Sequence, residues 1–127
     1  MNIPEDLEYT PADEWVNLEG ETAIIGITDY AQDHLSDVVF AEIGVSVGDS
    51  IAQGKVIATI ESVKAAADVS TPIAGKVIEI NEQIKKTPEI LNSDPYTRAW
   101  LIKVKIEHPS ELTKLMDAAS YRKYREE

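Results

Sequence analysis

Cysteine is absent from this 127-residue chain, which removes disulfides and thiol catalysis from the available chemistry. Histidine is scarce. His34 and His108 stand far apart in sequence, without the paired spacing that a zinc site uses. Gly44, Gly48 and Gly54 fit neither of the common phosphate-cradling loops. A triad of Ser62, His34 and a carboxylate lacks the Gly-x-Ser-x-Gly elbow, and acidic pairs such as Asp13-Glu14 read as solvated faces. No catalytic centre and no metal site is expected: the chain is not an enzyme by this reading. No apolar run approaches membrane-spanning length. The start, Met1-Asn2-Ile3-Pro4-Glu5-Asp6, has neither the charged-then-apolar plan of a secretory signal nor the Arg-rich character of a transit peptide. The expected location is a prokaryotic cytoplasm, or a mitochondrion if a transit peptide has been removed.

Positive charge is also in short supply, with 12 basic residues against 23 acidic ones and a formal net charge of −11. Such a surface repels phosphate backbones, which argues against nucleic-acid binding, and steers the chain toward basic partner surfaces. With 43% hydrophobic and 28% charged residues, it has the composition of a globular protein, and residues 1–127 are expected to form one domain.

What is present is mostly short β-like runs punctuated by glycine. Residues 15–18 and 22–27 read as strands joined by Glu19-Gly20-Glu21, with Gly20 supplying a positive φ. Thr28 is placed to cap a short helix over 29–35, with Asp29 in its first turn. Residues 38–43 form a third strand. Val47-Gly48-Asp49 and Gln53-Gly54 bracket Ser50-Ile51-Ala52 as turns. Runs at 55–60 and 76–80 are also strand-like. Residues 87–91 read as one capped helical turn with Pro88 at its first position, and 92–96 as a loop. In the run 100–106, Ile102, Val104 and Ile106 face one way and Lys103 and Lys105 the other, as in a half-buried strand. From Pro109 a helix is expected to about residue 125, with Leu112, Leu115, Met116 and Ala119 as its apolar stripe. The pattern implies a mainly β sandwich or flattened barrel with peripheral helices.

The most informative stretch is Glu61-Ser62-Val63-Lys64-Ala65-Ala66. It lies between the runs at 55–60 and 76–80, where the chain is expected to reverse near Lys64. Val63-Lys64-Ala65 holds no Gly, Asn, Asp or Pro, the usual turn residues, so this tip reads as kept for recognition. Gly-Lys-Val-Ile occurs at Gly54 and again at Gly75, ten residues before and eleven after Lys64, which is mild support for strands entering and leaving one central turn. A lone amine on a rigid tip suits acylation by a tethered cofactor. An ordinary solvated lysine is the alternative that the residues leave open.

Glu61-Ser62-Val63-Lys64-Ala65 resembles the lipoyl-attachment segment of the glycine cleavage system H proteins. Further blocks follow in the family's order: Tyr9-Thr10-Pro11 with Glu14-Trp15-Val16, then Ile25-Gly26-Ile27-Thr28-Asp29-Tyr30-Ala31-Gln32. Ser70-Thr71-Pro72-Ile73-Ala74-Gly75-Lys76-Val77, Asn92-Ser93-Asp94-Pro95-Tyr96 and Trp100-Leu101 complete the series. The resemblance implies a lipoyl-domain-like hybrid barrel-sandwich, with a core over about 22–107 and a C-terminal helical segment over about 109–125. It implies lipoate in amide linkage to Lys64, installed by a lipoate ligase or a lipoyl or octanoyl transferase. The chain would then be a monomeric carrier of glycine catabolism and one-carbon metabolism. It would take an aminomethyl group from the pyridoxal-phosphate glycine decarboxylase (P protein) to the tetrahydrofolate-dependent aminomethyltransferase (T protein). Dihydrolipoyl dehydrogenase (L protein) would reoxidise the arm.

The positions matching the family's arm-sheltering cleft are Glu14, His34 and Asp68. There Glu14 and Asp68 would hold the protonated amine; without the resemblance the residues read rather as a solvated strand-entry residue (Glu14), a helix-end residue (His34) and a turn residue (Asp68). The chain departs from the family at Ala12, where a hydroxyl occurs, at Asp13, commonly histidine, at Ser36, usually glycine, and at Gly44, where proline is common. Thr97-Arg98-Ala99 replaces a glycine-containing loop. Lipoyl domains of 2-oxo acid dehydrogenases favour Asp-Lys-Ala at the tip, and biotin carriers Met-Lys-Met; neither is present. An H-like lipoyl relay for other enzymes, or an unmodified acidic interaction module, remains as an alternative.

Overall fold

The computed structural model describes residues 1–126. Strands β1 (Glu8–Tyr9), β2 (Glu14–Glu19) and β3 (Thr22–Ile27) open the chain, followed by helix α1 (Asp29–Leu35). Next come β4 (Val38–Ile43), β5 (Ser50–Ile51), β6 (Val56–Ser62), β7 (Ala66–Ser70) and β8 (Gly75–Ile80). Helices α2 (Gln83–Lys86) and α3 (Ile90–Ser93), strand β9 (Ile102–Ile106), a 3₁₀ helix (Pro109–Lys114) and α4 (Ala118–Glu126) complete it. A six-stranded sheet has the order β1-β2-β3-β9-β8-β5, and a three-stranded sheet the order β4-β6-β7. All the pairings are antiparallel.

Alternation explains how the layers meet. Val16, Ile25, Val77 and Val104 from the larger sheet share one buried cluster with Ala41, Ile57, Ile60 and Val69 from the smaller. The outward positions of their strands mix polar residues such as Glu42 and Lys76 with apolar ones, Phe40, Val56 and Ile78 among them, and burial of each Val or Ile side chain stabilises by about 1.5–3 kcal/mol. A mainly β sandwich with marginal helices, as the strand pattern implies, is what the chain forms.

The hairpin β2–β3 and helix α1 form where local chemistry places them. Gly20 takes φ +61° in the turn, and Thr28 Oγ1 accepts the Ala31 N–H to cap α1. Gly26 sits opposite Trp15, where a Cβ would come within 2.5 Å of the indole ring. The missing side chain lets Trp15 lie across the neighbouring strand, and its Nε1 donates to Pro95 O at 2.9 Å.

Several expectations need correction. The strand that pairs with β6 across the Lys64 turn is β7, over Ala66–Ser70. The run at 76–80 belongs to β8 in the other sheet, so the repeated Gly-Lys-Val-Ile does not frame one hairpin. Residues 66–70 carry two alanines, an aspartate and a serine, and β7 becomes a strand by pairing rather than by propensity.

The C-terminal segment is not one helix. A 3₁₀ helix ends at Lys114, Leu115 is extended, and Met116 exchanges two hydrogen bonds with Tyr9, of 2.7 and 2.8 Å. Helix α4 starts only afterwards. Its buried members are Ala118 and Tyr121, while Ala119 of the expected stripe is exposed. Tyr121 stacks on Tyr9 at 4.7 Å in a second apolar cluster with Ile3, Leu7 and Trp15.

The short helices also differ. Residues 87–89 are a turn preceding α3, whose start has no side-chain cap, and Asn92 and Ser93 lie within it rather than in a loop. Helix α2 has only four residues, too few to show helical periodicity in a sequence.

Candidate functional site

Lys64 stands at the tip of the β6–β7 hairpin, exposed like its neighbours Val63 and Ala65. The turn does have turn chemistry, supplied one residue upstream. Ser62 Oγ accepts the N–H groups of Ala65 at 3.0 Å and Lys64 at 3.3 Å, and donates to Ala65 O. The Ser62 N–H donates to Ala65 O at 2.7 Å, and the Val63 N–H donates to Asp37 O at 3.0 Å, anchoring the tip to the start of β4. Ser62 does by side chain what glycine or proline does by backbone. Among the described residues, no carboxylate pairs with the Lys64 amine.

Four residues further along the same hairpin, about 13 Å of strand, Asp68 lines a cavity of about 230 Å³. Glu14 and His34 line it too, so the three cleft positions anticipated from the sequence meet at one place. The start of β2, one face of α1 and the β6–β7 hairpin are its walls. Ile27, Leu35, Ile60 and Val69 make much of the surface apolar, and Ala12 stands at its rim.

Glu14 is 6% exposed. Thr10 Oγ1 donates to Glu14 Oε1 at 2.8 Å and accepts the Glu14 N–H at 3.2 Å. Burial pushes the Glu14 carboxyl above its ordinary range; the nearby Asp13 charge adds to this, and the Thr10 hydrogen bond opposes it. Asp68 is exposed and accepts a hydrogen bond from Thr59 Oγ1 across the hairpin at 3.1 Å. His34, in the last turn of α1, lies against Tyr30 with ring centroids 4.1 Å apart. Tyr30 lines the cleft as well and is a residue the sequence reading missed. Its place one helical turn before His34, on the same face of α1, was the available signal.

The departures from the family pattern have local accommodations. Ser36 caps α1 at φ +69°, a conformation glycine takes more readily. The Gly44 N–H donates to Ile57 O at 2.8 Å, a bond that proline would forfeit. Asp13 also has φ +69°, and its carboxylate is taken by Arg125 at 2.8 and 2.9 Å. A larger cavity of about 440 Å³ runs along α4 between Ile3, Asp117 and Arg122. It contains none of the attachment or cleft residues anticipated from the sequence, and its rim carries both signs of charge.

An apolar cleft with a buried carboxylate, walled in part by the hairpin whose tip carries an exposed lysine, can hold a flexible chain that ends in a cation. The sequence profile described as Glycine cleavage H-protein matches residues 7–127. The chain is similar to the Glycine cleavage system H protein of Halothermothrix orenii, 46% identical over 127 residues, covering 100% of this chain and 98% of that one. The protein of the same name from a Cyanothece species is 51% identical over 122 residues, covering 96% and 94%. The mitochondrial Glycine cleavage system H protein 2 of Arabidopsis thaliana is 47% identical over 125 residues, covering 98% and 80%. A crystal structure of a glycine cleavage system H protein from Mycobacterium marinum superposes with a TM-score of 0.85 at 28% identity, covering 98% of this chain and 100% of that one. By sequence along nearly its whole length, and by fold, this chain belongs to the glycine cleavage H-protein family.

Proposed function

We propose that this chain is the lipoyl carrier of a glycine cleavage system, with Lys64 as the attachment site. The observation that carries the proposal is the β6–β7 hairpin, which bears the exposed Lys64 at its tip and Ala67, Asp68 and Val69 in the wall of the cleft. A tether on Lys64 would thus be anchored to the same rigid ribbon that forms its shelter. Glu61, Ser62, Val63 and Ala65 are the attachment motif: Ser62 fixes the turn, while Val63 and Ala65 are small, exposed flanks that a modifying enzyme can grip.

The residues present fit a lipoyl group. Acylation removes the lysine charge, so the arm can lie on Ile60, Leu35 and Val69 without stranding an ammonium. A bound lipoyl group would supply a reducible disulfide, one sulfur of which takes up the one-carbon aminomethyl unit while the other becomes a thiol. The chain's own residues do the rest. Glu14, buried and hydrogen-bonded to Thr10, meets a cationic amine with a charge-assisted bond. Asp68 adds a second carboxylate from the opposite wall, and His34 with Tyr30 screens the side of the cleft from water.

In this reading the chain as a whole is one non-catalytic carrier unit, monomeric and cytoplasmic in a prokaryotic host. Its partners are glycine decarboxylase, the aminomethyltransferase, dihydrolipoyl dehydrogenase and the enzyme that attaches lipoate. No described helix is long and apolar enough to cross a membrane. Tethering replaces repeated encounters between enzymes and a free intermediate by movement of one attached group.

The test is to treat the purified chain with a lipoate ligase, lipoate and ATP, then take an intact mass and map the peptide. One lipoyl adduct on Lys64 is the expected result. A folded protein that takes no adduct, while a known carrier is modified in parallel, would overturn the reading in favour of an unmodified interaction module. An adduct without turnover on reconstitution with the three enzymes would point to a lipoyl relay for other systems.

A further inference from the structure

Helix α4 does more than cover the second apolar cluster. Tyr121 and Arg125 are four residues apart and so share one face, and both reach Asp13, more than a hundred residues earlier in the chain. Tyr121 Oη donates to Asp13 Oδ1 at 2.7 Å and shares a 2.8 Å hydrogen bond with Thr28 Oγ1, the cap of α1. Arg125 Nε donates to Asp13 Oδ1 at 2.8 Å, Nη2 to Asp13 Oδ2 at 2.9 Å, and Nη2 also to Pro11 O at 3.0 Å. The guanidinium lies over the Tyr30 ring, 4.1 Å from its centroid. Asp13, Tyr30 and His34 line the cleft; Arg125 does not.

Asp13 and Glu14 are adjacent carboxylates at one rim. Left unpaired, Asp13 would oppose the ionisation of Glu14 and compete with it for any cation in the cleft. The forked pairing with Arg125, which lysine cannot reproduce, turns Asp13 away from that role. The same guanidinium fixes Tyr30 by a cation–π contact, and Tyr30 in turn supports His34. We propose that Arg125 is a positioning residue of the cleft: by occupying Asp13 and bracing Tyr30, it leaves Glu14 as the carboxylate that receives the amine of the carried group. This rests on the carrier reading above, but its first consequence can be measured without the arm.

In the unmodified protein, NMR titration of the Glu14 carboxyl carbon is compared in wild type and variants, with Asp13, Tyr30, His34 and Asp68 as the other ionisable groups around the cleft. Arg125→Gln unmasks the Asp13 charge and moves the Glu14 midpoint upward. Adding Asp13→Asn to that variant returns the midpoint to the wild-type value or below. Arg122→Gln, on an exposed turn of the same helix, leaves it unchanged. An unmoved Glu14 midpoint in folded Arg125→Gln would overturn the proposal. If that variant does not fold, Arg125→Met, which keeps much of the side-chain packing and removes the charge, must raise the midpoint above wild type; a wild-type value overturns the proposal equally.

In lipoylated, aminomethyl-loaded protein, Arg125→Gln should lose the carried group about tenfold faster by intact mass, the scale of one charge-assisted hydrogen bond. Equal lifetimes would also defeat the proposal. Failure of the wild type to accept lipoate at Lys64 strikes the carrier reading and leaves the titration standing.

Discussion

Lys64 and Glu14 are opposite kinds of residue, one exposed and unpartnered and one buried with a single hydroxyl donor, and they should respond to substitution in opposite ways. Lys64 contributes little packing, so Lys64→Arg is expected to change stability by less than about 0.5 kcal/mol while abolishing lipoylation. Denaturant melts and intact mass check the two halves separately, and a destabilised or still-modified variant would contradict the assignment. Glu14 has its folded pKa raised above the ordinary 4.5, chiefly by burial. Between the unfolded and folded values the native state binds more protons than the unfolded state, so stability falls as pH rises through that window. Glu14→Gln keeps an oxygen for the Thr10 hydroxyl and removes the buried charge. The variant should therefore melt higher than wild type at neutral pH, and its advantage should vanish once pH falls below about 4.5. Melting curves at a series of pH values decide it; an advantage independent of pH would show that ionisation of Glu14 is not the cause.

At the scale of elements, the strands are held in place by what glycine omits as much as by what larger side chains fill. Gly75 begins β8 opposite Ile106, and a Cβ there would run into the backbone oxygen of Lys105 and the Val104 side chain. Gly75→Ala is expected to destabilise by about 3 kcal/mol, because a backbone atom cannot move aside as a side-chain tip can. Urea denaturation measures this, and a change below about 1 kcal/mol would mean that β8 and β9 separate more easily than their pairing indicates. Elements with strong local signals were legible in the sequence: Gly20 and Thr28 marked the ends of β3 and the start of α1, and alternation marked β9. Strand β7 was not, because its alanines and aspartate become a strand only when β6 supplies partners. The break before α4 was equally hidden, since nothing in Leu115 and Met116 announces that Tyr9 will take both backbone groups of Met116.

For the whole molecule, the net charge of −11 is the property that partners meet first. Association with each enzyme of the system should slow by about tenfold as salt rises from about 50 to about 500 mM, because screening removes long-range steering. Stopped-flow binding checks this, and salt-independent rates would locate recognition in the apolar residues near the tip instead. The same scale explains what joins the site. Glu14, His34 and Asp68 come from a strand start, a helix end and a hairpin that are remote in sequence. They share one cleft because the two sheets bury one common core and α1 packs Ala31 and Leu35 against it.

By itself, the amino-acid order determined the strand-rich architecture, the exposed lysine turn, the acidic surface and the absence of cysteine chemistry, since each follows from neighbouring residues or from composition. The family pattern supplied the names of the cleft residues but not their surroundings. Only the tertiary structure decided that Ser62 builds the turn and that β7 rather than the run at 76–80 is the partner of β6. It alone showed Tyr30 in the cleft, and Asp13 held by Tyr121 and Arg125 from the far end of the chain. Those outcomes depend on contacts between segments distant in sequence, where pairing and burial outweigh the local preferences that a sequence displays.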